Sequence, residues 1–177
     1  MNLIKKKFFS ILNILVTTED NILNIDISKT SFLNRLLFLL TNIPYFYLVY
    51  YISTTYKTNF DSNSDLICKY STHFFIFLLS FISTIFHFKQ CTCYNKNKIN
   101  NCILWNNIDL SCVGITGILI SICYIKSFYD ILYFSPCIIL MILGGFFKSK
   151  KLYKLYFIFH GLWHLVSAFF LFHIICV

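Results

Sequence analysis

The chain has 177 residues, of which 58% are hydrophobic and 12% charged, with a formal net charge of +8. A soluble domain is about 45–50% apolar and about 25% charged. A body this small has too little interior to hide the excess, so a soluble globular protein is excluded and the bilayer is the solvent. Five Gly and two Pro exclude a fibrous or linker-rich chain, and eight Cys would mark a disulfide scaffold only in a small secreted protein. The abundance of Asn, Lys, Ile, Phe and Tyr reads as a compositional bias, so the spacing of residues carries more weight than their number.

The fold class expected is all-α: a polytopic membrane helical bundle of about five transmembrane helices. Residues 1–34 are read as a cytosolic basic segment. In it Lys5, Lys6 and Lys7 precede an apolar run from Phe8 to Val16, which is too short to span and lacks a small-residue cleavage site after it. It reads as an amphipathic segment lying on the membrane surface. Residues 35–177 form the transmembrane domain. Spans are expected at Leu36 to Ser53, Tyr70 to Phe88, Ile103 to Ile125, Phe128 to Phe147 and Leu155 to Val177. Asn42 and Pro44 interrupt the first. The fourth carries Asp130 at its start, Pro136 inside, and Gly144 and Gly145, where backbones can approach closely.

If the five helices alternate, one side of the membrane holds Lys5, Lys6, Lys7, Lys29, Arg35, Lys89, Lys96, Lys98, Lys148, Lys150, Lys151 and Lys154, which is 12 of the 15 basic residues. The positive-inside rule puts that side in the cytosol, with the N-terminus inside and the C-terminus lumenal or extracellular. An endoplasmic-reticulum or other endomembrane location is expected in preference to the plasma membrane. The charge then reads as orientation and contact with anionic lipid headgroups, and no basic-aromatic motif points to a nucleic acid.

Polar groups inside a span are costly, and each is a functional candidate. The second span has Ser83 and His87, the third Asp109, and the last His160 and His164. Residues four apart share a helix face, so Ser83 lies beneath His87 and the last two His point the same way. Counting about 1.5 Å per residue from the cytosolic ends, His87 lies near the rim, Asp109 about 9 Å deep, and His160 and His164 about 8 and 14 Å deep. All five fall in one leaflet. His73 and His173 lie toward the other leaflet and read as local hydrogen-bonding or interfacial residues.

Three neutral imidazoles with a fourth position open are the usual catalytic zinc arrangement, so Zn2+ is the expected cofactor, on His87, His160 and His164. Asp109 would offset the ion's charge and serve as a base, and Ser83 would orient water or a developing oxyanion. As a structural alternative, the same five residues would be polar glue between helices, a weak contribution of about 0.6 kcal/mol each. Three His alone do not separate zinc from iron.

At this constellation the chain resembles the CREST superfamily, which includes the alkaline ceramidases, the progestin and adipoQ receptors with the bacterial hemolysin III proteins, the lipid-remodelling proteins of GPI anchors and the myomaker-like proteins. The order Ser83-x3-His87, Asp109, His160-x3-His164 is similar to that family's motif, over about residues 70 to 177. Trp163 before His164 is like the ceramidase and GPI-remodelling branches, whereas Asp109 in Ile-Asp-Leu and His173 are similar to the adipoQ-receptor branch. The resemblance implies a zinc-dependent hydrolase of a lipid amide or ester, with a ceramide-like or other acyl lipid as substrate. The alternative is a non-catalytic receptor or membrane-remodelling protein that keeps the cluster structurally. A channel or transporter is disfavoured, since rings of charge and inverted repeats are lacking. The family usually has seven helices, so two would be missing between Asp109 and His160, leaving a less enclosed cleft that a homo-oligomer could complete.

Cys91, Cys93 and Cys102 fall in the expected cytosolic loop 89–102, as free thiols open to palmitoylation or, less favoured, to a second zinc. Cys112, Cys123, Cys137 and Cys176 read as ordinary residues of apolar helices.

Overall fold

A computed structural model describes residues 30–54, 63–92 and 99–176. The described chain is all-helical and contains five helical stretches long and apolar enough to cross a membrane: Phe32–Thr54, Leu66–Thr92, Ile103–Cys123, Phe128–Ser149 and Tyr153–Cys176. It is a helical membrane bundle. The expected surface segment at residues 1–29 lies outside the described residues.

The first span is two helices, α1 (Phe32–Leu40) and α2 (Ile43–Thr54). Ser31 caps α1 by accepting from the Asn34 N–H. The break at Thr41 and Asn42 follows from Pro44. A proline has no N–H and clashes with the preceding turn inside a helix, but it is well placed in a first turn, where no partner is needed. The remaining helices are α3 (Asn63–Thr92), α4 (Ile99–Cys123), α5 (Phe128–Ser149) and α6 (Tyr153–Cys176). α5 starts with a reciprocal cap, in which Ser127 accepts from the Asp130 N–H while the Asp130 carboxylate accepts from the Ser127 N–H. It turns into α6 through Lys151, whose φ of 59° lies in the left-handed region.

α3 packs on α4 and α5 on α6, while α1 and α2 lie against both α3 and α6. The inner seam is Tyr45, Leu48, Ile76, Ile120, Cys137 and Leu171. Phe74, Ile118, Ile122, Tyr133 and Phe169 face outward, which is stable only against lipid.

The cysteines depart from expectation at two places. Cys123 is joined to Cys68 by a disulfide that ties the end of α4 to the start of the second span. Cys91 is in the last turn of α3 rather than a loop, buried against Phe38, Tyr153, Tyr156 and Phe157, so it is closed to acylation. α4 already includes residue 102, and Cys93 lies outside the described residues.

Two glycines set helix spacing. A Cβ at Gly144 would lie 3.4 Å from the His160 Cβ, and one at Gly161 would lie 3.1 Å from the Thr41 methyl. The second is tighter than ordinary contact. Gly161→Ala should therefore destabilise the bundle by about 1–3 kcal/mol, the usual range for overpacking. Adding Thr41→Ser removes the obstructing methyl but keeps the hydroxyl that donates to the Phe38 carbonyl. Thermal unfolding in detergent should show the double variant restored toward wild type; equal losses in single and double variants would refute this contact.

Candidate metal centre

The three histidines of the sequence pattern meet. His87 comes from α3 and the i, i+4 pair His160 and His164 from α6, and one ring nitrogen of each lies within 4.8 Å of the others. The ring centroids form a nearly equilateral triangle of 5.1, 5.0 and 4.9 Å. The ring planes are turned 75°, 84° and 82° from one another, so the imidazoles converge edge-on instead of stacking. His87 and His164 are fully buried and His160 partly so.

Whether these residues suit an ion is decided by their nitrogens. The Nε2 atoms of His87 and His164 are 3.0 Å apart, whereas two nitrogens on one tetrahedral ion at about 2.0–2.1 Å are separated by about 3.3 Å. A shift of a few tenths of an ångström would bridge them. His160 Nε2 is buried without a partner, a cost that ligation would remove. The group could hold a metal ion; His73 and His173 are not part of it. His73 instead bonds the Ser53 hydroxyl at 2.9 Å, and His173 stands beside Tyr133.

Asp109 and Ser83 also come together, though not as ligands. Asp109 is buried on α4, has the Ser83 hydroxyl of α3 near its carboxyl, and keeps Oδ1 without a partner. The carboxylate stands outside the converging nitrogens but within electrostatic reach of the Tyr45 and Tyr156 hydroxyls, both of whose rings neighbour the His cluster. Ser83, expected to face water or an oxyanion, thus stands beside the acid.

Enclosure is greater than the helix count suggested. Phe38 of α1 stands edge-on to His87 at 4.6 Å, Tyr45 of α2 stands edge-on to His164 at 5.9 Å, and Trp163 lies 5.1 Å from His160. Tyr45 is held by the Ser167 hydroxyl. The broken first span therefore supplies a wall at the ligands themselves.

Gln90 escaped the sequence reading. Its Oε1 accepts from His87 Nδ1–H at 3.1 Å and from the Tyr156 hydroxyl at 3.2 Å. A partner at Nδ1 fixes the tautomer that leaves Nε2 free to bind an ion. The signal was the i, i+3 spacing from His87, masked by assigning residue 89 onward to a loop.

No protein-family model, curated protein or solved structure matches the chain.

Purified wild-type protein should carry near one equivalent of bound metal by elemental mass spectrometry, and the His160→Ala, His164→Ala double variant none. Gln90→Leu should keep the fold but weaken metal binding about 10–100-fold, the usual effect of removing a partner behind a ligating histidine. Chelator competition reads this directly, and unchanged affinity would remove Gln90 from the centre.

Proposed function

We propose that the chain is an integral-membrane, zinc-dependent hydrolase acting on an amide or ester bond of a lipid. The observation that carries this reading is the convergence of three buried imidazoles from two helices, with a buried acid on a third helix nearby. That Ser-His, Asp, His-His order resembles the CREST pattern, and the geometry supports the grouping without reference to it. A zinc ion held by His87, His160 and His164 would supply Lewis acidity and an activated water.

The chain's own residues would do the rest. Gln90 orients His87, and Ser83 stands near the Asp109 carboxyl, whose Oδ1 has no partner and is free to take a proton. An apolar cavity of about 90 Å³ lined by Tyr45, Leu79, Thr116, Ile120, Trp163 and Phe170 opens beside the cluster and suits a hydrocarbon chain. Such a site, reached through the bilayer, favours acyl lipids over soluble substrates.

The orientation proposed is N-terminus cytosolic and C-terminus lumenal or extracellular, in an endomembrane. Charge asymmetry supports it, and so does the disulfide, since Cys68 and Cys123 lie at the ends of their helices remote from the basic loops, where an oxidising compartment is required. An impermeant thiol reagent applied from the lumenal side should label these two residues only after reduction; labelling from the cytosol would reverse the topology.

The hydrolase reading separates from a metal-binding receptor at Asp109. Asp109→Asn should retain the metal and lower hydrolysis of ceramides or other lipid amides and esters by about 10²-fold or more, the scale of a general base. Activity equal to wild type with metal in place would favour the receptor.

A further inference from the structure

Lys148 stands in the last turn of α5, where a lysine ordinarily extends past the helix end into water. Here the side chain is 8% exposed. Its ammonium lies 5.4 Å from the Tyr156 ring centroid, and that ring lies 5.2 Å from the His160 imidazole. The lysine therefore turns inward, and a single aromatic ring separates it from the metal centre. No carboxylate among the described residues pairs with it. The face of a ring attracts an ammonium but does not neutralise it, so the buried charge is left incompletely compensated.

Gln90 supplies a second observation. While its Oε1 serves both His87 and Tyr156, its Nε2 is buried with no acceptor. Two unused donor groups, one over the Tyr156 ring and one at its hydroxyl, thus adjoin the same tyrosine. A helix-terminal role for Lys148 would account for its charge but not for its inward burial or for the amide. An acceptor rich in oxygen and carrying negative charge would satisfy both. Lysine binds a phosphate as a point charge.

Lys148 is one residue from the end of the span Phe128–Ser149, at the depth of lipid headgroups. We propose that Lys148 and the Gln90 amide receive the phosphate of an anionic lipid, whose acyl part then runs inward past the histidines. This deepens the hydrolase reading, naming an acidic phospholipid in place of a neutral ceramide. Binding at Lys148 stands apart from turnover and requires no metal.

The test titrates the full chain in detergent with a short-chain phosphatidic acid, with the diacylglycerol of the same chains, and with inorganic phosphate, following the fluorescence of Trp163 beside the centre in a Trp105→Phe background, which leaves Trp163 the one tryptophan of the chain. Phosphatidic acid should bind at least about tenfold more tightly than the diacylglycerol. Lys148→Met should abolish the preference and Lys148→Arg preserve most of it. Equal affinity for the two lipids in wild type overturns the proposal, as does a preference that survives Lys148→Met. Competition by inorganic phosphate at the lipid's own concentration overturns the lipid assignment in favour of a free anion. Should Lys148→Met fail to fold, the wild-type ratio of the two lipids decides alone. Metal content measured on the same samples separates the two ideas: a preference without metal keeps the headgroup site and removes the hydrolase, and metal without a preference does the reverse.

Discussion

A polar side chain in the hydrocarbon of a bilayer has no solvent to bond to and must find its partner within the protein. Among the described residues that constraint brings one group of polar side chains together, while others, such as Thr72, Ser80 and Thr116, are buried elsewhere along the helices. His87, Gln90 and Ser83 come from α3, Asp109 from α4, Lys148 from α5, and Tyr156, His160 and His164 from α6. Were the group only glue between helices, hydrogen bonds worth about 0.6 kcal/mol each would hold it, with few atoms unsatisfied. Instead His160 Nε2, His164 Nδ1, Asp109 Oδ1 and Gln90 Nε2 are all buried without partners. Each such atom costs about 1–3 kcal/mol, more than the glue returns. The cluster has the character of a site poised to receive something.

The bundle is held in the register this requires by small residues and aromatic rings. Gly144 lets α5 approach α6 at His160 itself, and Gly161 admits Thr41 from the break in the first span. The break frees α1 and α2 to present different faces, so that Phe38 and Tyr45 reach the cluster from separate helices. A first span kinked in this way encloses the histidines from two directions.

Much of this was legible in the residues. Hydropathy placed all five spans, because a length of about 20 apolar residues is a demand of the bilayer and not of any particular neighbour. The i, i+4 pair on α6 and the placing of His87 in the same leaflet brought the ligands together from the sequence, since a helix is a ruler. What escaped was whatever depended on contact between helices. Gln90 looked like loop, Tyr45 and Tyr156 were lost among the 12 tyrosines, and Lys148 was counted only as a topological charge. Cys68 and Cys123 are 55 residues apart, and nothing local distinguishes them from thiols packed in apolar helices. Their pairing follows from the antiparallel packing of α3 on α4, which brings the start of one beside the end of the other.

That bond has a mechanical meaning. Cys68 lies about 28 Å along α3 from His87, and Cys123 about 21 Å along α4 from Asp109, at about 1.5 Å per residue. A covalent pin at the far end leaves the two helices free to fan but not to slide, much as a pair of dividers opens about its rivet. The gap between the ligand-bearing helix and the acid-bearing helix is then governed by one angle, and a small rotation at the pin becomes a large displacement where the chemistry would take place. Any widening that admits a lipid between α3 and α4 would be greatest at the end that bears His87 and Asp109 and vanish at the opposite one, so entry and exit would be confined to a single leaflet.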